Sequence, residues 1–125
     1  MEVFIGRAVS FIQVAERDRA LQFYCDILGL SLQRSDAHGD FLVAGESLLR
    51  LTALPDYKPH SHPVFGWDVD DIVVTVHTLR ERGVRFTVYE GLGQDNLGVW
   101  NSPDGKAQVA WFNDPDGNVL SLSQT

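Results

Sequence analysis

The sequence predicts an α+β fold made of two copies of one βαβββ module. The first observation is a weak internal repeat, because an apolar run, a segment with helical spacing and a glycine follow one another twice. The second is that strand-like runs separated by turn residues follow each helical segment. The 125 residues have the length of one domain, and a hydrophobic content of 44% is enough to form a core.

The first module is predicted over residues 7–54 and begins with an apolar strand at residues 8–14. Helical spacing follows at four positions, Ala20, Tyr24, Ile27 and Leu28. Gly29 fits the left-handed position that ends many helices. Three strands are then predicted, at residues 30–35, 40–44 and 47–54.

The second module is predicted over residues 64–125, after a linker at residues 55–63 that contains prolines and histidines. Asp70 and Asp71 are suited to cap its helix. The valines and isoleucines there favour a strand by propensity, but the repeat favours a helix that Gly83 ends. Besides a first strand at residues 64–69, strands are predicted at residues 84–89, 107–112 and 118–123.

Two Pro-Asp-Gly turns, at residues 103–105 and 115–117, bracket the strand at residues 107–112. Proline presets the first central position of such a turn and glycine accepts a positive φ, so the second turn predicts a hairpin. Trp67 and Trp111 are each in an apolar strand, and we expect both in the core.

The charge balance excludes several classes of partner. The formal net charge is −7, and no basic stripe offsets it, so neither nucleic acid nor an anionic membrane surface is an expected partner. Charges interrupt every apolar run before the roughly 18 residues that a membrane span needs. A small molecule is therefore the expected partner.

The single cysteine, Cys25, cannot form a disulfide within the chain, which is compatible with a reducing compartment. The first residues lack a basic segment followed by a long apolar one, so no export signal is expected. Together these features predict a cytoplasmic protein.

Three segments, in order along the chain, have the pattern of a known family. They are Ala20-Leu21-Gln22-Phe23-Tyr24 with Ile27-Leu28-Gly29-Leu30, Val69-Asp70-Asp71-Ile72 with Arg82-Gly83-Val84, and Trp111-Phe112-Asn113-Asp114-Pro115-Asp116-Gly117-Asn118. This pattern resembles the vicinal oxygen chelate superfamily, which includes glyoxalase I, extradiol dioxygenases and bleomycin-resistance proteins. The resemblance implies two βαβββ modules that curl into an incomplete, mixed β-barrel around a ligand cavity. It also implies a homodimer, since family members commonly pair modules between chains.

The metalloenzymes of that superfamily bind a divalent metal through His or Glu side chains on the first and last strands of each module. The resemblance carries these four positions onto Val9, Arg50, Val64 and Ser121. Valine has no donor atom, arginine stays protonated, and one serine is a poor ligand. The chain departs from the metalloenzymes at all four positions, so no metal cofactor is expected.

Strand alternation predicts which side chains line the cavity. Leu49 and Leu51 suit the helix-covered face, so their neighbours in sequence point the other way. The expected ligand-binding residues are Val9, Phe11, Arg50, Thr52, Val64, Trp100 and Ser121. Arg50 is suited either to hold a ligand carboxylate or phosphate or to form a structural ion pair, for example with Asp68. Trp100 is suited to stack on a flat ligand or to pack internally.

The function expected from these residues is metal-free binding of a small molecule, similar to the sequestration that bleomycin-resistance proteins perform. No catalytic residue is assigned. The alternative is an enzyme of the lyase, isomerase or dioxygenase type, which would use a divalent metal bound by other residues. His60 and His62 form a His-x-His pair that would serve such a site, although a third ligand is needed.

Overall fold

A computed structural model describes Val3 and residues 6–125 of the chain. The chain divides into two units, Met1–Tyr57 and Lys58–Thr125. Each unit has its own four-stranded mixed sheet and its own helical segment, which confirms the predicted α+β fold and the βαβββ order. Within the described residues, neither helix has the length and apolar character that a bilayer span requires.

The first unit contains strands β1 (Val9–Val14), β2 (Ser31–Ser35), β3 (Gly39–Ala44) and β4 (Ser47–Ala53). Their order across the sheet is β1-β4-β3-β2, with β1 parallel to β4 and the other pairs antiparallel. This order makes β4 a central strand, and it makes β1 and β2 the two edges of the sheet.

The helical segment of the first unit begins as helix α1 (Arg17–Leu21) and continues as a π-helical stretch, Gln22–Ile27. Ala20, Phe23 and Tyr24 are its buried side chains, and Gly29 follows with a φ of 84°. The predicted helix is therefore present, but its second half has the wider π-helical winding, which spacing alone does not distinguish.

The second unit contains strand β5 (Pro63–Asp68), helix α2 (Ile72–Glu81) and strands β6 (Trp100–Asn101), β7 (Gln108–Asn113) and β8 (Val119–Gln124). Their order is β5-β8-β7-β6, with β5 parallel to β8 and the other pairs antiparallel. The predicted hairpin at the second Pro-Asp-Gly turn is confirmed as the β7–β8 pair.

Helix α2 begins and ends where the sequence predicts. Asp71 is its N-cap, and the side chain accepts a hydrogen bond of 3.1 Å from the amide of Val74. Ile72, Val76 and Leu79 are its buried residues, and Gly83 has the left-handed φ of 94° after its end. The buried stripe, rather than the high β-propensity of the segment, determines the helix.

The prediction of a strand at residues 84–89 is wrong. This stretch forms no strand, although Phe86 makes one isolated bridge to Phe112. The Gln94 side chain explains the difference, because its Nε2 donates to the carbonyls of Thr87 and Gly98, at 2.9 and 2.7 Å, and its Oε1 accepts from the amide of Tyr89, at 2.7 Å. These bonds hold the backbone as a loop, and a short β6 serves as the edge strand instead.

Candidate functional site

The first sheet has one face covered by the helical segment and one turned away from it. Arg17 of α1 reaches Asp40, whose cross-strand partner is Leu51, so Asp40 and Leu51 mark the covered face. Side chains alternate along a strand, so Phe41 and Arg50 belong to the opposite face. This agrees with the alternation that the sequence predicts for β4, because Leu49 and Leu51 are fully buried on the helix-covered face.

Four side chains on the opposite face form a row across all four strands of the first sheet. Phe11 of β1 is paired with Arg50 of β4, Arg50 with Phe41 of β3, and Phe41 with Arg34 of β2. We call these four residues the cation–aromatic row. Both arginines lie against one ring, with Cζ of Arg34 at 4.1 Å and Cζ of Arg50 at 4.7 Å from the Phe41 centroid.

Arg50 is the most buried charged group of the row, with only 9% of the residue exposed. Its Nη2 donates a hydrogen bond of 2.9 Å to Oδ1 of Asp36. Its Nη1 is buried and has no hydrogen-bond partner among the residues that the structure describes. A buried donor without an acceptor costs about 1–3 kcal/mol, so this nitrogen is a candidate contact for a ligand.

Asp36 is the ion-pair partner of Arg50, in place of the Asp68 considered from the sequence. The same Oδ1 also accepts from the amides of His38 and Gly39, at 2.8 and 3.1 Å. The Arg50 hydrogen bond, followed by that of the His38 amide, lowers the pKa of Asp36 to about 2. The carboxylate is therefore charged at neutral pH, and it offsets one of the two guanidinium charges of the row.

Because Gly39 has no side chain, it leaves room for the guanidinium of Arg50 on the surface of the sheet. A Cβ at this position would be 3.1 Å from Cζ of Arg50 and would collide with the carbonyl oxygen of Leu51. No side chain fits there without displacing the backbone. The guanidinium therefore lies close both to Gly39 and to the ring of Phe41, two residues further along β3.

The other predicted site residues of the first unit share this face. Val9 is paired with Leu48, and Thr52 with Gln13 and Gly39, in the same register that pairs Phe11 with Arg50. Phe11 is 69% exposed, whereas Arg50 beside it is buried. The face thus combines an accessible aromatic ring, a shielded cation and a hydroxyl group.

Three predicted site residues belong to the second unit. Ser121 is paired with Gly66 and Trp111, and Trp100 with Val109, so Ser121 and Trp100 share the face away from the buried residues of the sheet. A Cβ at Gly66 would collide with Oγ of Ser121. Val64 falls at a register shift in β5 and has no paired residue, so the pairing does not assign it to a face.

The prediction that Trp111 lies in the core is wrong. Its partner is Ser121, and Ala110 and Phe112 on either side are fully buried, so Trp111 belongs to the other face. It is half-buried and makes an edge contact with Tyr89, with ring centroids 5.5 Å apart. Trp67, also half-buried, does face the core side and stacks on Phe112 at 6.4 Å.

The four positions that would hold a metal do not fit one. Two are valines, Arg50 is a cation already paired with Asp36, and Ser121 offers a single hydroxyl. Elsewhere in the described residues, no three His, Cys, Asp or Glu side chains are grouped as metal ligands. His60 and His62 stack with ring centroids 5.4 Å apart, and both are exposed.

A second ion-paired carboxylate, Asp40, is buried, unlike the exposed Asp36, and has a structural role on the helix-covered face. It is 1% exposed and accepts hydrogen bonds from Nη2 of Arg17, at 2.9 Å, and Oγ of Ser35, at 2.5 Å. Burial alone would raise its pKa, but the Arg17 and Ser35 bonds outweigh burial and lower it. These bonds tie α1 to β3 and β2.

Residues 5–122 match the model of the Glyoxalase/Bleomycin resistance protein/Dioxygenase superfamily. A protein of Synechocystis named probable lactoylglutathione lyase is 29% identical, over 93% of this chain and 92% of its own length.

Two solved structures resemble the whole chain. The antibiotic-binding protein TnmS3 of Streptomyces sp. CB03234 is 26% identical with a TM-score of 0.73, covering 99% of this chain and 98% of that one. A member of the same superfamily from Sphaerobacter thermophilus is 24% identical with a TM-score of 0.75, covering 99% of this chain and all of that one.

Proposed function

The chain belongs to the Glyoxalase/Bleomycin resistance protein/Dioxygenase superfamily, and from that premise we propose that it binds a small molecule without a metal. The ligand occupies the face of the first sheet that carries the cation–aromatic row. Binding there changes no covalent bond, so the protein acts by sequestration.

The observation that carries this proposal is that Arg50 is buried and that one of its terminal nitrogens has no hydrogen-bond partner among the described residues. The family resemblance gives this position to a metal ligand, but here it holds a guanidinium beside an aromatic ring, and its buried Nη1 has no acceptor in the described part of the chain. A fixed cation repels a metal ion and attracts a polar or anionic ligand group. The surrounding mixture of apolar and hydrogen-bonding side chains, including Val9, Phe11 and Thr52, is typical of a binding pocket.

The likeness to TnmS3 supports this proposal, because that protein is described as binding an antibiotic. The Synechocystis relative supports a second candidate, a lyase that acts on lactoylglutathione. The residues argue against the second candidate, since no three His, Cys, Asp or Glu side chains are grouped as metal ligands in the described part of the chain.

The test is an NMR titration of ¹⁵N-labelled protein with a panel of small molecules that includes bleomycin, with and without EDTA. We expect at least one compound to shift amide signals of β1, β3 and β4 at a stoichiometry of one per chain, equally with EDTA, and to be recovered unchanged. The matched activity assay measures formation and breakdown of lactoylglutathione. Turnover of lactoylglutathione that EDTA abolishes would contradict the proposal and support the lyase.

A further inference from the structure

We propose that the cation–aromatic row selects a ligand with a flat aromatic ring and one carboxylate, which Nη1 of Arg50 and the guanidinium of Arg34 bind together. This proposal rests on the proposed function, because it names the class of ligand for the same face. Four observations on the row support it.

The first observation is the unsatisfied donor. Nη1 of Arg50 is shielded from water and has no acceptor among the described residues, while Nη2 of the same group is bound to Asp36. A carboxylate oxygen placed against Nη1 would form a charge-assisted hydrogen bond and remove the cost of the orphaned donor. A neutral amide would provide a weaker acceptor at the same point.

The second observation is the local charge. Arg34 and Arg50 lie against the same Phe41 ring, and Asp36 offsets only one of these two charges. One net positive charge remains, which matches a monoanion. A multiply charged anion is disfavoured because the whole chain carries a formal net charge of −7.

The third observation is the exposed aromatic surface. Phe11 belongs to the edge strand β1, is 69% exposed and is the cross-strand neighbour of Arg50. A flat ring laid on Phe11 would bury apolar surface while its carboxylate reaches Arg50. The row is therefore open to a ligand from the β1 edge.

The fourth observation is that the guanidinium of Arg50 is held in place. Its Nη2 donates to Asp36, its Cζ lies over the ring of Phe41, and there is no room for a Cβ at Gly39 beside it. A positioned planar group recognises a planar carboxylate with little loss of conformational freedom. Lysine at this position would keep the charge but lose the fork of donors.

The experiment compares three matched probes by the same NMR titration: 2-naphthoate, its neutral amide 2-naphthamide and the cationic 2-naphthylmethylamine. We expect 2-naphthoate to shift the amides of Phe11, Phe41 and Arg50 with a dissociation constant at least tenfold lower than that of either other probe. Arg34→Gln, a change at an exposed residue, should weaken 2-naphthoate binding at least threefold. Arg50→Lys should weaken it at least tenfold.

Arg85→Gln is the control, because Arg85 is an exposed arginine of the second unit, where it lines a separate cavity of about 580 Å³ with Arg80. We expect this variant to bind 2-naphthoate as the parent does. Loss of binding in Arg85→Gln but not in Arg34→Gln would move the anion site to that cavity and overturn the proposal.

The probes also separate this proposal from the proposed function. Binding of 2-naphthamide or the amine on the row as tightly as 2-naphthoate would overturn the carboxylate preference and leave small-molecule binding on this face intact. Metal-dependent turnover in the preceding assay would overturn the proposed function itself. If Arg50→Lys fails to fold, the Arg34→Gln result and the probe ranking still decide the outcome.

Discussion

Arg50 and Asp36 share one hydrogen bond, from Nη2 to Oδ1 at 2.9 Å, and the other terminal nitrogen of the guanidinium is buried with no acceptor among the described residues. Arg50 stands at a position that the family resemblance gives to a metal ligand. Its second terminal nitrogen is the group that we propose contacts the ligand.

The Asp36 carboxyl should titrate at a pH of about 2 in the folded protein, below the value of about 3.9 for an unfolded aspartate. Because the folded-state pKa is the lower one, the resulting stabilisation is present above about pH 4 and is lost as the pH falls towards 2. In Arg50→Gln the pKa of Asp36 should rise, yet stay below the ordinary value, because the amides of His38 and Gly39 still donate.

An NMR titration of the side-chain carboxyl carbons measures this shift. Asp104 is the internal control, since Ser102 and the amide of Lys106 lower its pKa without Arg50. Its titration should be the same in both proteins. An Asp36 pKa that does not change in Arg50→Gln would show that the ion pair is not formed in solution.

Gly39→Ala should lower the free energy of unfolding by about 1–3 kcal/mol, because the new Cβ collides with the carbonyl oxygen of Leu51 and crowds Cζ of Arg50. Gly6→Ala is the matched control, since a Cβ there has no atom within 4 Å. Urea denaturation of both variants measures the difference. Equal stabilities would refute the close packing of β3 against β4.

Asp71→Ala should destabilise the protein by about 1 kcal/mol, because α2 loses the side chain that accepts from the amide of Val74. Asp70→Ala removes the same charge one residue earlier, outside the cap position. It should have a much smaller effect in the same urea experiment. A larger loss for Asp70→Ala would place the start of the helix one residue earlier.

The start and end of α2 were predictable because their causes are local. A capping aspartate, an apolar stripe and a glycine with a left-handed φ all act within one helix, and the internal repeat resolved the conflict with β-propensity. The sequence does not distinguish Asp70 from Asp71 as the N-cap, because both are aspartates and aspartate is a good cap at either position.

The loop at residues 84–99 was not predictable in the same way. Residues 84–89 have the apolar content of a strand, and the amide of Thr87 donates to the carbonyl of Trp111 in β7. The Gln94 side chain, however, bonds the carbonyl of Thr87 and the amide of Tyr89, which a longer strand pairing would use. A single side chain that bonds three backbone groups produces no periodic pattern in the sequence from which the loop could be predicted. The short β6 at Trp100–Asn101 is the consequence.

Gln94→Glu tests this role. Glutamate lacks the Nε2 donor, and its charge faces the carbonyls of Thr87 and Gly98, so amide hydrogen exchange over residues 87–99 should accelerate at least about tenfold. Asn96→Asp adds the same charge at an exposed position of the same loop. Exchange measured by mass spectrometry should differ between the two. Equal acceleration would mean that charge alone, and not the Gln94 bonds, opens the loop.

The candidate site was predictable in part. Alternation along β4 put Arg50 and Thr52 on the face opposite Leu49 and Leu51, as the register shows. Arg34, Phe41 and Asp36 were missed because their closeness to Arg50 depends on how β2, β3 and β4 pair. The hairpin turn at residues 36–39 was the available signal, since pairing across it brings Arg34 opposite Phe41.

The most direct test of metal-free binding is elemental analysis of the protein purified without a histidine tag from cells grown with added zinc, nickel, manganese and iron. We expect less than about one tenth of a metal ion per chain, with binding of 2-naphthoate retained in that same sample. One equivalent of any of these metals, removed together with ligand binding by a chelator, would contradict metal-free binding.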